Sequence, residues 1–328
     1  MDNLTVLSHS RRIAYFAVFL AVIVVFLGAY TRLSDAGLGC PDWPGCYGHW
    51  RVEANAIEPA KAWAEMIHRY AASILGLLIL VLGILGLVRR HDIHQPVFIP
   101  LLLIALVIFQ AALGRWTVTL QLLPVVVMGH LLGGMAILAL LWILALKLGH
   151  HFEIRNLGED KKFRFWAILG LIIVFLQISL GGWTSTNYAA LVCPDFPYCH
   201  GQLFPLHELH KAFNVFMPIG KNFEGGVLDT PSRISIQVIH RLGAVITTVY
   251  LLGLGLWVLC AARQKLCKAI MIVIWLALVL QISLGILNVV LMLPISIALM
   301  HNIGAAVLLL SIVTLNYVLY ANTRHENP

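Results

Sequence analysis

Four histidines recur at matched places in this chain: His68 and His130 in its first part, His240 and His301 in its second. His68 and His240 are 172 residues apart and His130 and His301 are 171 apart, so the four read as two copies of one site. Each lies near the start of a long apolar segment. An ionisable side chain inside a membrane span costs about a few kcal/mol unless it is satisfied, which makes it a functional candidate by default. Two imidazoles from separate helices, with no neighbouring carboxylate or thiolate to complete a tetrahedral or octahedral shell, suit the axial positions of a haem inside a four-helix bundle. Gly129, Gly133, Gly134, Gly243, Ala244 and the Gly304 to Ala306 stretch would leave room for a flat macrocycle. The same small residues also read as close packing between membrane helices, and the two readings are compatible.

Two further residue types accompany the histidines. Arg69 and Arg241 directly follow His68 and His240 and would suit haem propionates through charge-assisted hydrogen bonds. As plain interfacial arginines they would snorkel outward. Arg32 and Arg115 are weaker candidates of the same kind. The repeat breaks at one chemically loaded position: Glu65 lies three residues before His68, on the same helical face, whereas Gln237 precedes His240. A carboxyl can carry protons or stabilise positive charge at a reacting carbon, and an amide can do neither. The first site is therefore expected to do chemistry and the second to transfer electrons or hold structure. The bland reading of Glu65 is an interfacial carboxylate paired with Arg69 or Lys61.

Cys40 with Cys46 and Cys193 with Cys199 share the spacing C-P-D-x-P-x-C. Proline and a short separation favour turns that bring two sulfurs within bridging distance. Structural staples, a redox-active pair at Cys40 and Cys46, and a four-cysteine zinc site all remain open at this point, the last disfavoured by a spacing wider than C-x2-4-C. Cys260 and Cys267 read as free thiols. His207-Glu-Leu-His210 is not H-E-x-x-H, because its histidines are three apart. A surface amphipathic helix from about Leu206 to Phe216 is expected there. His91, His94, His150 and His151 read as solvated loop residues.

The elements that must position these groups are membrane helices. In 328 residues, 60% are hydrophobic and 11% charged, against about 45–50% and 25% in soluble domains. Runs of roughly 20 apolar residues, enough to cross a bilayer core, fall near 13–30, 66–88, 97–119, 125–147, 165–183, 235–259, 269–292 and 295–320. The expected fold is an all-α integral membrane protein with eight transmembrane helices, arranged as two pseudo-twofold-related four-helix bundles. Thirteen of the 22 Lys and Arg residues, from Arg11 and Arg12 through Arg89, Arg90, Lys147, Arg155, Lys161, Lys162, Arg164, Arg263, Lys265 and Lys268 to Arg324, fall on the side of the N-terminus. The positive-inside rule then puts both termini in the cytoplasm and the cysteine loops outside. Topology thus accounts for the net charge of +7 and leaves no basic patch for nucleic acid. No small-residue cleavage site precedes Tyr30, so the first apolar run is read as an uncleaved span.

The halves also match at Leu27-Gly-Ala-Tyr30 and Leu180-Gly-Gly-Trp183, and at Gln110-Ala-Ala-Leu-Gly114 and Gln281-Ile-Ser-Leu-Gly285. Each has an even number of spans, so the copies share orientation and should be related by an axis along the membrane normal. The expected division is 1–150 for the N-terminal four-helix half and 151–328 for the C-terminal four-helix half, with a cytoplasmic link from Gly149 to Lys162.

Gly37-Leu-Gly-Cys-Pro-Asp-Trp-Pro-Gly-Cys46, Glu65-x-x-His-Arg69, Gly129-His130, Asn222-Phe-Glu-Gly-Gly-Val-Leu228, His240-Arg-Leu-Gly243 and Met300-His-Asn-Ile-Gly304 together resemble the haem A synthase family over essentially the whole chain. The resemblance implies a multi-pass enzyme of the inner (plasma) membrane. It would oxidise the C8 methyl group of haem O to the formyl group of haem A by two hydroxylations and loss of water, for terminal oxidase assembly. By the same resemblance His68 and His130 flank the substrate haem, Glu65 assists at the methyl carbon, and His240 and His301 ligate the iron of haem b. Cys40 and Cys46 match a pair implicated in haem transfer or electron delivery. The implied partners are a haem O synthase or another haem donor, an electron donor that the sequence does not name, and terminal oxidase assembly factors; a homo-oligomer is compatible with it. The competing classes are a non-catalytic di-haem electron-transfer protein, which would lack a use for Glu65, and a membrane thiol oxidoreductase, which would leave the histidines idle. A transporter is disfavoured because no pair of broken helices interrupts the repeat at mid-membrane.

Overall fold

The computed structural model describes residues 3–53, 56–90, 96–149 and 158–320. His91, His94, His150, His151, Arg155, Arg324 and most of the link between the halves lie outside them. Among the described residues the chain is helical: α1 (Asn3–Leu33), α2 (Pro59–Val88), α3 (Phe98–Thr119), α4 (Pro124–Gly149), α5 (Arg164–Thr186), a single turn α6 (Leu209–Ala212), α7 (Thr230–Ala261), α8 (Lys265–Val290) and α9 (Ile295–Tyr320). Eight of these are long and apolar enough to cross a membrane, and the protein is a multi-pass membrane protein.

α2 and α7 start well before their apolar runs, and local chemistry sets where. Pro59 occupies the first turn of α2, where its missing N–H costs nothing. Pro231 does the same in α7, whose N-cap Asp229 accepts from the Ser232 N–H at 3.2 Å. Lys211 reaches Asp229 at 2.5 Å, and these hydrogen bonds hold the Asp229 carboxyl down to about 2. The extra turns place Glu65 just ahead of its apolar stretch and Gln237 at the start of the other, in register with His68 and His240. The joints between α3 and α4 and between α8 and α9 repeat as well: Gln121 and Leu122 in one, Met292 and Leu293 in the other, all have positive φ.

In the first half α1 packs on α2 and α4, and α3 packs on α2 and α4; in the second, α5 packs on α7 and α9, and α8 on α7 and α9. Each half is therefore a ring of four helices, with the two histidine helices on opposite corners. The halves meet through α4 on α5, α1 on α9 and α4 on α9. One apolar core runs through both halves, including Leu138, Leu141, Ile312 and Leu315. Cross-half hydrogen bonds join Trp142 Nε1 to Thr314 Oγ1 at 2.8 Å and Arg32 Nη2 to the Ser185 carbonyl at 2.5 Å. At the end away from the disulfides, a six-residue 3-10 helix, Gly158–Phe163, carries the buried Asp160. Its carboxylate accepts the N–H groups of Arg263 and Gln264 at 2.9 and 2.8 Å and fastens the α7–α8 joint.

The helix expected from Leu206 to Phe216 is only the single turn Leu209–Ala212. Glu208 has φ +49°, which stops helix on its N-terminal side. Ser235 binds both the N–H and the carbonyl of His207, which holds that residue in extended chain.

Candidate haem site

The four histidines line one apolar cavity of about 1480 Å³. That is larger than the roughly 300–1,000 Å³ common for a single ligand and leaves room for a second. The rings of His68 and His130 meet in an edge-on arrangement, with centroids 6.3 Å apart and planes at 82°. Two metal–nitrogen bonds of about 2 Å each, with the ring centroids about an ångström beyond each nitrogen, would put the centroids about 6 Å apart. This pair therefore fits one iron between two imidazoles. Among the described residues no group of three or more His, Cys, Asp or Glu side chains converges, which suits a planar cofactor supplying its own equatorial ligands rather than a bare ion.

Each histidine is seated by a glycine on the preceding helix of its ring. A Cβ at Gly28 would lie 3.0 Å from His68 Cε1; at Gly114, 3.3 Å from His130; at Gly181, 3.2 Å from His240; at Gly285, 3.1 Å from His301. Four residues before three of these glycines stands a glutamine that contacts the histidine. Gln110 donates to the His130 carbonyl, Gln177 Nε2 lies 3.1 Å from His240 Nδ1, and Gln281 Nε2 lies 3.2 Å from His301 Nε2. The equivalent position in α1 is Val24, so His68 alone lacks an amide neighbour of this kind. These glutamines escaped the sequence reading, although Q-x-x-x-G in three of four helices was a visible signal. Their Oε1 atoms are buried without a partner, as are Nδ1 of His68, His130 and His301. Polar atoms left unsatisfied beside a cavity fit a site built around a bound group.

Glu65 is buried, at 5% exposure, and both its oxygens are engaged. Oε2 accepts the Cys40 N–H at 2.9 Å and Oε1 pairs with Arg69 Nη2 at 2.5 Å. Lys61 pairs with Glu58 instead. Gln237 is equally buried and its Oε1 has no partner. The broken repeat position is thus also where the two halves differ in electrostatics.

The arginines are placed differently from the expectation of free propionate partners. Arg69 Nη1 donates to the carbonyls of Asp42 at 3.0 Å and Gly45 at 2.5 Å. Arg241 donates to Asp195 at 3.1 Å, Tyr198 at 2.7 Å and Cys193 at 3.1 Å. Both line the cavity, but these donors clamp the cysteine loops, because the loops present a fan of carbonyls that no helix satisfies. Arg32 is committed to Ser185 and stacks 4.0 Å over Tyr188. Arg115 is exposed and does not line the cavity.

Both cysteine pairs form disulfides, Cys40–Cys46 and Cys193–Cys199, which excludes a four-cysteine zinc site in this state. The two loops have the same build. Asp42 accepts from Tyr47 and Gly48, both at 2.7 Å, and Asp195 from His200 and Gly201 at 2.8 and 2.9 Å. Hydrogen bonds from Gly201 and His200 hold the Asp195 carboxyl below its ordinary value. Cys260 and Cys267 form no disulfide. Converting Cys193 and Cys199 together to serine is expected to lower thermal stability, since closing so short a loop contributes about 2 kcal/mol. Turnover per folded molecule should stay near wild type, as read by thermal melts beside haem A yield. Full loss of turnover in a folded variant would instead favour a thiol oxidoreductase.

The sequence agrees with this geometry. Residues 11–313 match the cytochrome oxidase assembly protein family model COX15-CtaA. A haem A synthase of Shewanella oneidensis is 45% identical over 316 residues, covering 91% of this chain and 93% of that protein. The haem A synthase of Caulobacter sp. strain K31 is 27% identical over 93% of the chain, and that of Alkalihalophilus pseudofirmus 24% over 77%. With the match running through all eight long helices and both disulfide loops, the chain belongs to the COX15-CtaA family of cytochrome oxidase assembly proteins.

Proposed function

We propose that this chain is a haem A synthase, oxidising the C8 methyl group of haem O to the formyl group of haem A for assembly of terminal oxidases. The observation that carries this reading is the pair His68 and His130, 6.3 Å apart at the cavity, with the buried carboxylate Glu65 one helical turn from His68 and an amide in its place at the second pair. In this reading residues 1–150 and 151–328 are two four-helix units about a pseudo-twofold axis. The first holds the haem O substrate between His68 and His130, and the second holds haem b between His240 and His301. Held by His240 and His301, haem b would supply one-electron transfer to the first site. The glycine slots fix each imidazole plane, and the apolar walls exclude water from the reacting edge.

Glu65 sits where a carboxylate can stabilise positive charge at the methyl carbon and accept the proton released there. Arg69 holds the Glu65 carboxyl aimed while tying the first disulfide loop over the site; with Arg241 it is also a partner for propionates entering the cavity. Two hydroxylations of the methyl group give a geminal diol and loss of water leaves the aldehyde, a net oxidation that removes four electrons and four protons from the methyl group and one water and passes them to an external oxidant. The excess of Lys and Arg on one side supports a plasma membrane orientation with cytoplasmic termini and external disulfide loops. Oxidising conditions there suit the two disulfides. The partners in this reading are a haem O synthase or another donor, an external electron donor and oxidase assembly factors.

Expression beside a haem O source, followed by chromatography of the extracted haems, tests the assignment. Haem A appearing only with the active chain is expected. Haem b alone under every condition, from a folded protein, would establish the non-catalytic electron-transfer reading instead.

A further inference from the structure

The two rings differ at one more surface, the seam between the second and third helices of each half, where three matched positions carry the larger side chain in the second half. In the first half Gly76 on α2 faces Val107 on α3, and a Cβ at Gly76 would meet only Val107 Cγ2, at 3.9 Å. One turn deeper, Ile104 packs on Gly83. The matching residues in the second half are Thr248, Leu278 and Trp275, each larger than its counterpart. The Trp275 indole packs on Gly255 and donates to the Leu251 carbonyl at 3.0 Å, which locks it across the seam.

The consequence is a difference in cavity shape. In the first half the cavity wall extends past the histidines to Leu80, Ile104 and Ile108, whereas the matching Leu252, Trp275 and Val279 do not line it. Leu80 is 45% exposed and Ile108 65% exposed, so this extension opens on the lipid-facing surface of the bundle. Leu80 lies twelve residues beyond His68 on α2, about 18 Å farther from the disulfide end at 1.5 Å per residue. The channel therefore leads from the first histidine pair down between α2 and α3 and out toward the bilayer.

Haem O differs from haem b in carrying a long hydroxyethylfarnesyl tail, on a pyrrole ring that bears no propionate. We propose that the α2–α3 channel is the subsite for this tail, and that Ile104 and Gly76 in the first half, against Trp275 and Thr248 in the second, decide which half takes haem O and which takes haem b. This rests on the reading of the first half as the substrate site. An apolar, lipid-open channel is the environment an isoprenoid chain requires, and it lets the tail stay in hydrocarbon while the macrocycle slides between the histidines. The second half excludes it by volume: an indole spans the same gap, and a well-packed site rejects an added apolar group that has nowhere to go.

The test titrates the purified full-length protein with haem O and, separately, with tail-less protohaem, and identifies retained haems by chromatography. Ile104→Trp should lower binding of haem O relative to protohaem in the first half by about tenfold or more, with resident haem b and thermal stability unchanged. Gly76→Thr, for which the structure has room, should act in the same direction if the tryptophan variant folds poorly. Trp275→Ile should let haem O into the second half. Unchanged haem O binding in Ile104→Trp, or equal loss of haem O and protohaem, overturns the subsite. A wild-type protein that binds haem O no better than protohaem in the first half, and makes no haem A, sinks the haem A synthase reading itself, a result separable from either of those.

Discussion

Glu65→Gln should lower haem A formation by about 100-fold or more while haem b, fold and expression persist. The magnitude follows from losing one positioned acid–base group, usually about 10²–10⁴ in rate. Breaking a buried ion pair ordinarily leaves an uncompensated charge and costs roughly 3–5 kcal/mol. Here the second half shows how that cost is avoided: beside Gln237, Arg241 turns its Nη2 to the Cys193 carbonyl at 3.1 Å. Arg69 already holds three loop carbonyls and has the same recourse. The variant should therefore fold, and the measurement is haem A per mole of purified protein, with Gln237→Glu as the symmetric control expected to leave turnover near wild type. A Glu65→Gln enzyme that forms haem A as fast as wild type would remove Glu65 from the chemistry and leave it a clamp for Cys40 and Arg69.

The second large effect is on cofactor retention. His240→Ala or His301→Ala should strip haem b from the purified protein, whereas His68→Ala or His130→Ala should leave its absorption spectrum in place and abolish haem A. Losing even a supporting partner of a metal ligand costs about 10–100-fold in affinity, so loss of a ligand should exceed that. Spectra and extracted haem content read the result directly. Haem b that survives both His240→Ala and His301→Ala, but disappears with His68→Ala, would reverse the assignment of the two halves.

Much of this was legible in the chain. Apolar runs placed eight spans, because hydropathy over about 20 residues is set by the bilayer itself. The repeat placed four histidines on matched helices, and the C-P-D-x-P-x-C loops announced two equivalent disulfides. Helix starts were less legible: α2 and α7 run beyond the apolar stretch, since capping by Pro59 and Asp229 is a local event outside the hydrophobic signal. The expected surface helix after Pro205 failed for a tertiary reason, the capture of His207 by Ser235 from 28 residues away.

Sequence by itself determined the class of protein, the number of spans, the four histidines at matched places and the single acid that separates the two halves. Only the tertiary structure decided how those residues are used. It set the guanidinium groups of Arg69 and Arg241 against loop carbonyls, placed glutamines against three of the four histidines, and opened a channel beside Ile104 that Trp275 closes in the other half. The physical reason is one of range. Hydropathy and residue chemistry are properties of short stretches of chain. Whether a donor is free or a cavity open depends instead on the volumes and partners that other helices bring to the same place.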